Sequence, residues 1–173
     1  MKFSTAAVLA LASTLLVAAP ALGQFSNAHD TALPIEIAAD ALEVQQEQQI
    51  AVFSGNVDAQ QGNMKLRAEK LWVHYQGDTG GDTAQAISKI DAQGQVFFSS
   101  GDETAEGDQG TYDVDNGVIV LTGRVVLTQG GSVIKGNRVV LDLNTGKSTM
   151  DGGEANGDGR VRGLFVPRRG AAP

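Results

Sequence analysis

From Ile35 to Leu143 the chain alternates apolar and polar residues with a period of two, in blocks that recur. Ala51, Phe53, Gly55, Val57 and Ala59 share one parity, and the matched sets are Ile90, Ala92, Gly94, Val96, Phe98 and Ile119, Leu121, Gly123, Val125, Leu127. Alternation of this kind sends one set of side chains to one face of a β-strand. A second block alternates with a slip: Ile35, Ile37 and Ala39 precede Leu42 and Val44; Met64, Leu66 and Ala68 precede Leu71, Val73 and Tyr75; Ile134 and Gly136 precede Val139, Leu141 and Leu143. At the same place each time a step of three interrupts the step of two. A corner or bulge must do this if the inward set is to stay inward past the bend. The pattern predicts two bent strands per block and, after residue 24, no helix of useful length.

The blocks are copies of one unit. Gly55, Gly94, Gly123 and Gly152, in AVFSGNVDA, KIDAQGQVFF, VIVLTGRVVL and a degenerate STMDGGEA, are 39, 29 and 29 residues apart. Gly62, Gly101 and Gly130 follow the first three at a fixed offset of seven. In the slipped block, Asp40, Glu69, Asp108 and Asn137 are 29, 39 and 29 apart. A 29-residue unit thus recurs about four times, with ten extra residues between Tyr75 and Ile90. Self-similarity at such a period predicts stacked units, none of which buries its apolar face alone. The acidic residues recur with the unit, so they are expected to satisfy backbone donors at the bends rather than to form one active site.

Composition changes this picture mainly at the ends. The 173 residues, 42% hydrophobic, suit one domain with a real core. Residues 1–23 combine one lysine, an apolar run too short to span a bilayer and a small-residue end, the pattern of a cleaved secretory signal. Loss of Lys2 takes the net charge from −7 to −8. Residues 24–33 read as a disordered lead-in, and Ile35 is expected to start the first strand after Pro34. With no cysteine, an exported chain must hold itself by sheet and core, without disulfides or thiolate chemistry. Gln76 to Gln85 reads as an exposed loop whose single Gly-Asp stretch is too short for repeat-bound calcium. Residues 151–173 form a flexible Gly/Arg-rich segment with room for a short strand at Val161 to Val166. Arg160, Arg162, Arg168 and Arg169 there are either a solvated tail or a charged edge for a partner or a lipid phosphate.

Chemistry is hard to find. His29 lies in the lead-in, while His74 and Trp72 have outward parity. Neither a phosphate-binding loop nor a nucleophile elbow is present. The negative charge disfavours nucleic acid. No catalytic residue, metal site or cofactor is therefore expected. What remains is the inward face: Ile35, Ile37, Val44, Phe53, Val57, Leu66, Val73, Tyr75, Val96, Phe98, Tyr112, Leu121, Val125, Leu127, Ile134 and Leu141, with glycine and alanine between. It is either an ordinary packed core or an apolar trough between two sheet faces, wide enough for acyl chains.

Residues 34–150, through A-D-x-L-x-V at Ala39 and F-x-G-N-V-x-A-x-Q-G at Phe53, resemble the OstA-like family. The resemblance implies an all-β, open, slightly twisted β-jellyroll whose groove, lined by the inward set above, holds the acyl chains of lipopolysaccharide. It implies a periplasmic, non-enzymatic bridge protein carrying lipopolysaccharide from inner to outer membrane. Its expected partners are a membrane-anchored OstA-like component upstream, the periplasmic domain of an outer-membrane translocon downstream, and further copies head to tail. The alternative is a secreted repeat-built structural or interaction module with a filled core and no lipid; an enzyme acting on envelope polysaccharide is a third option. The first edge, Ile35, Glu36, Ile37, Ala38 and Ala39, carries no inward charge and is open to backbone pairing. The last edge is expected near Val139 to Leu143 or Val161 to Val166.

Overall fold

The structure, a computed structural model, describes residues 33–76, 86–153 and 159–166. The expected signal segment, the lead-in up to residue 32 and nearly all of the inserted loop lie outside the described residues. Among the described residues there are ten strands: β1 (Glu36–Ala38), β2 (Ala41–Gln45), β3 (Ile50–Gln61), β4 (Met64–Gln76), β5 (Ala86–Ser100), β6 (Glu103–Asp113), β7 (Val118–Gln129), β8 (Ser132–Asp142), β9 (Lys147–Asp151) and β10 (Arg162–Leu164). One 3-10 turn, Gln46–Gln48, joins β2 to β3. Every pairing is antiparallel, and β3 to β8 lie side by side in chain order.

Each long strand has a corner, and in β4 and β8 it falls at the step of three between Ala68 and Leu71 and between Gly136 and Val139. The ladder shifts register between Ser54 and Val57, Arg67 and Lys70, Gln93 and Val96, Glu106 and Gln109, and Thr122 and Val125. Left-handed backbone makes the corner: Gly94 at φ +85° is followed by Gln95 at +44°, as Gly55 at +81° is by Asn56 at +45°. Over each corner glycine lies an acidic side chain of the preceding block. A Cβ on Gly55 would meet Asp40 Oδ2 at 2.5 Å, and one on Gly94 or Gly123 would collide with the carboxylate of Glu69 or Asp108. Asp108 also accepts the Arg124 backbone N–H at 3.2 Å, the role expected of the corner acids, whereas Asp40 accepts from the Asn56 side chain at 2.8 Å. In the degenerate copy Asn137 lies over Gly153 instead of Gly152, a slip of one.

The bends fold the sheet into two facing halves. The first half-sheet contains β1, β10 and the two-residue turns at Gly62, Gly101 and Gly130; the second contains β2 and β9. β1 and β2 are two pieces of one bent strand broken at Ala39 and Asp40, both paired with β3, and β9 and β10 flank β8 likewise. One expectation is corrected and one open alternative is resolved, in favour of the strand within Val161 to Val166. Strand pairing starts at Glu36 rather than Ile35, one residue further from Pro34. Val139 to Leu143 is not an edge, since β9 pairs with β8 through Val139 and Leu141; the last edge is β9 with β10, at Arg162–Leu164. The core lies between the halves, with Leu71, Leu121, Val57, Val96, Val125 and Val139 at its centre.

Candidate functional site

The inward set converges on the space between the half-sheets. Val57, Val73, Tyr75, Val96, Phe98, Tyr112, Leu121, Val125, Leu127 and Leu141 are buried, and Ile35, Ile37, Phe53, Leu66 and Ile134 are partly buried against them. Val44 lies on the same face but is 52% exposed, because β2 is the outermost piece of its half-sheet and its inner surface lines an open space rather than the packed centre. The sequence reading left Met64, Leu71, Ile90, Ile119 and Val139 out of the site, although all are buried in the same cluster. Their parity was already visible.

Two spaces open between the halves. In the middle, a slot of about 30 Å³ is lined by Ala59, Gln61, Met64 and Leu66 of the first half-sheet and Ile90, Tyr112, Ile119 and Leu121 of the second. At the first edge, a mouth of about 360 Å³ is lined by Ile35, Ile37, Val44, Phe53, Tyr75 and Ile87, among others. The mouth exists because the halves face each other out of step. Tyr112 on β6 reaches Gln61 on β3, and Ser148 on β9 reaches Glu103 on β6, three strands along in each case. That offset leaves the inner surface of β2 to β4 without an opposing strand at one end. At the other end Leu164, Phe165 and Val166 are exposed.

Polar groups mark the rim opposite the corners. Continuing the parity of Val57 and Ala59 points Gln61 inward, and it is 3% exposed. Its Oε1 accepts from the Tyr112 hydroxyl at 3.0 Å while its Nε2 donates to the Leu33 carbonyl at 2.9 Å, tying the approach to β1 onto the rim. Burial pushes the Tyr112 phenol up to about 12, with a smaller contribution from neighbouring Asp113. Glu103, also inward by parity, is raised above the usual carboxylate range by burial although the Ser148 hydroxyl donates to it at 3.2 Å.

The outer face carries the remaining candidates. Trp72 and His74 point outward as read, with Lys70 Nζ 5.0 Å from the Trp72 ring centre. Val52 has outward parity yet is buried; its register partner is Trp72, whose indole is large enough to shield it. Burial would raise Asp91, but hydrogen bonds from Lys89, Thr111 and His74 outweigh it and hold the carboxyl below its ordinary value. Among the described residues no group of three metal-ligating side chains forms.

Comparison with known proteins places this geometry. Residues 36–147 match the family described as LptA/(LptD N-terminal domain) LPS transport protein. An uncharacterized protein of Rhizobium meliloti (strain 1021) is 34% identical over 159 residues, 87% of this chain and 86% of that protein. The lipopolysaccharide export system protein LptA of Escherichia coli (strain K12) is 33% identical over 148 residues, 80% of this chain and 76% of its own length. The crystal structure of LptH, titled the LptA homologous periplasmic component of the conserved lipopolysaccharide transport device from Pseudomonas aeruginosa, matches with a TM-score of 0.67. That match covers 80% of this chain and 99% of LptH at 22% identity, and it shows the shared open β-jellyroll fold. The bent antiparallel meander, its facing halves and the sequence match over 36–147 make this chain a member of the LptA/(LptD N-terminal domain) LPS transport protein family.

Proposed function

We propose that the protein works in the periplasm, holds lipopolysaccharide by its acyl chains between the two half-sheets, and passes it along copies stacked head to tail. The observation that carries this reading is the apolar mouth at the first edge, continuous with the inward face behind it. Each methylene buried there contributes roughly 0.8 kcal/mol, so six contribute about 5 kcal/mol without a single polar contact. No chemistry of its own and no cofactor enter the reading.

The offset between the halves supports the stacking. A copy whose β9 and β10 met β1 and β2 of the next would set its overhanging first half-sheet opposite the uncovered inner face of β2 to β4. The contact is heterologous and does not close, so copies would share one trough. By the same logic a membrane-anchored member of the family docks at the first edge, and the periplasmic domain of an outer-membrane translocon at the last. The narrow slot in the middle favours one rival, an interaction module with a filled core and no lipid.

Photo-crosslinking residues at Ile37, Phe53 and Phe98 are expected to capture lipopolysaccharide, and those at Trp72 and Arg124 are not. Native mass spectrometry of protein taken from a lipopolysaccharide-containing envelope separates the rival. Lipid-free protein together with equal capture from both faces would remove the groove.

A further inference from the structure

At the corners the halves are joined by continuous backbone, but at the rim opposite they meet through side chains. Among the described residues, bonds that cross there join Tyr112 to Gln61 and Ser148 to Glu103. Both join inward-facing side chains near the strand ends, and both span the same three-strand offset. We propose that these bonds are clasps that keep the trough shut when empty and open to admit acyl chains through the rim. The proposal rests on the groove reading above.

Room is the first reason. The middle slot, about 30 Å³ against about 360 Å³ at the mouth, has room for water but not for an acyl chain, so none lies there until the half-sheets part. The ladders run along each half-sheet and through the bends, so parting at the rim breaks none of their strand pairings. What it breaks is the clasps.

Their chemistry suits a reversible closure. A neutral hydrogen bond such as Tyr112 to Gln61 has a small net value, because water replaces each partner when the pair separates. An acyl chain entering the gap restores the apolar packing that parting gives up, and the freed hydroxyl and amide turn to solvent or to the polar head of the lipid. An amide left buried without its donor is costly, whereas removing both partners together is close to neutral. Tyr112→Phe therefore favours the open rim, where Gln61 is hydrated; adding Gln61→Met restores closure. The Leu33 carbonyl loses its Gln61 donor in that pair, but Leu33 is 41% exposed and water takes over.

The chain has no cysteine, so spin labels can be placed cleanly at Asn63→Cys and Asp115→Cys, on exposed turns of opposite rims. Pulsed electron spin measurements on the empty mature protein are expected to give one short distance population. Tyr112→Phe is expected to shift about fivefold more molecules to a longer distance and to speed loading of lipid A from micelles about fivefold, from the value of one neutral hydrogen bond. Ser148→Ala moves both in the same direction, and Tyr112→Phe/Gln61→Met returns both to the parent values. Circular dichroism checks that each variant keeps its sheet, and Ser148→Ala carries the test if Tyr112→Phe does not fold. A folded Tyr112→Phe or Ser148→Ala protein with the parent distance distribution overturns the clasps whatever lipid does. Lipid A that neither binds nor widens the parent rim overturns the groove reading instead, leaving the empty-state distances to judge the clasps.

Discussion

Replacing Gly94 by alanine tests whether the corners are held by shape. At φ +85° an L side chain costs about 1–2 kcal/mol in backbone strain. The new Cβ would also collide with the Glu69 carboxylate and lie 2.8 Å from Glu69 Cβ, closer than real Cβ atoms approach. Overpacking of that kind adds about 1–3 kcal/mol, so Gly94→Ala should lose about 3.5 kcal/mol in total. Glu69→Gly removes the obstacle while costing about 1 kcal/mol for glycine in a strand. If the obstacle is real, the double variant is less destabilised than the sum of the two, about 2.5 rather than about 4.5 kcal/mol, a coupling of about 2 kcal/mol. Urea unfolding followed by Trp72 fluorescence and by circular dichroism measures all four proteins. Penalties that add to within about 0.5 kcal/mol would show that Glu69 does not block the corner. A Gly94→Ala penalty below about 1 kcal/mol would show that the backbone there is not left-handed.

Three other measurements bear on the fold and the site. Leu121, fully buried, should lose about 3 kcal/mol on Leu121→Ala, read as a lower urea midpoint at unchanged slope; a loss under about 1 kcal/mol would mean that the centre is loosely filled. Burial keeps the Tyr112 phenol protonated up to about 12, while the unfolded chain releases that proton near its ordinary value of 10.0. This contribution is present below pH 10 and is lost as pH rises toward 12, so the parent should lose more stability over that window than Tyr112→Phe. Equal losses in the two proteins would place the phenol in water. Val44→Asp caps the first edge and Phe165→Asp the last, so each alone should stay monomeric in light scattering at concentrations where the parent lengthens. Mixed, the two are expected to form one-to-one pairs and nothing longer; pairing of either variant with itself would rule out head-to-tail contact.

Much of this was legible because it repeats. The period of two, its slip and the glycines at 29-residue spacing pointed to bent strands, corners and an inward face. Parity put Val44 on the inner face but could not give its burial, because parity says which side a residue points to and not whether anything lies opposite. That depends on the offset between half-sheets, which is set by packing of one half on the other and leaves no local mark. Gln61 was overlooked for a related reason. It continues the parity of Val57 and Ala59, but a glutamine beside a turn ordinarily faces water, and only its bond to Tyr112, 51 positions away, makes it interior. The last edge was ambiguous because β9 is polar, KSTMD, and so lacks the alternation that marked the other strands.

The chain-order pairing of β3 to β8 also governs how such a molecule can change in length. From β4 to β7 each strand takes its backbone partners from its immediate neighbours in sequence, and the side-chain bonds between the half-sheets reach only three strands further. No described segment between β3 and β8 closes a barrel or threads past another, so the energy of the array is close to a sum over neighbours. Duplicating one two-strand unit in the middle would widen the sheet by about 9.5 Å and disturb nothing beyond the next repeat. Length is thus a matter of how many units the gene encodes, and a longer or shorter molecule calls for a different count of units rather than a different fold.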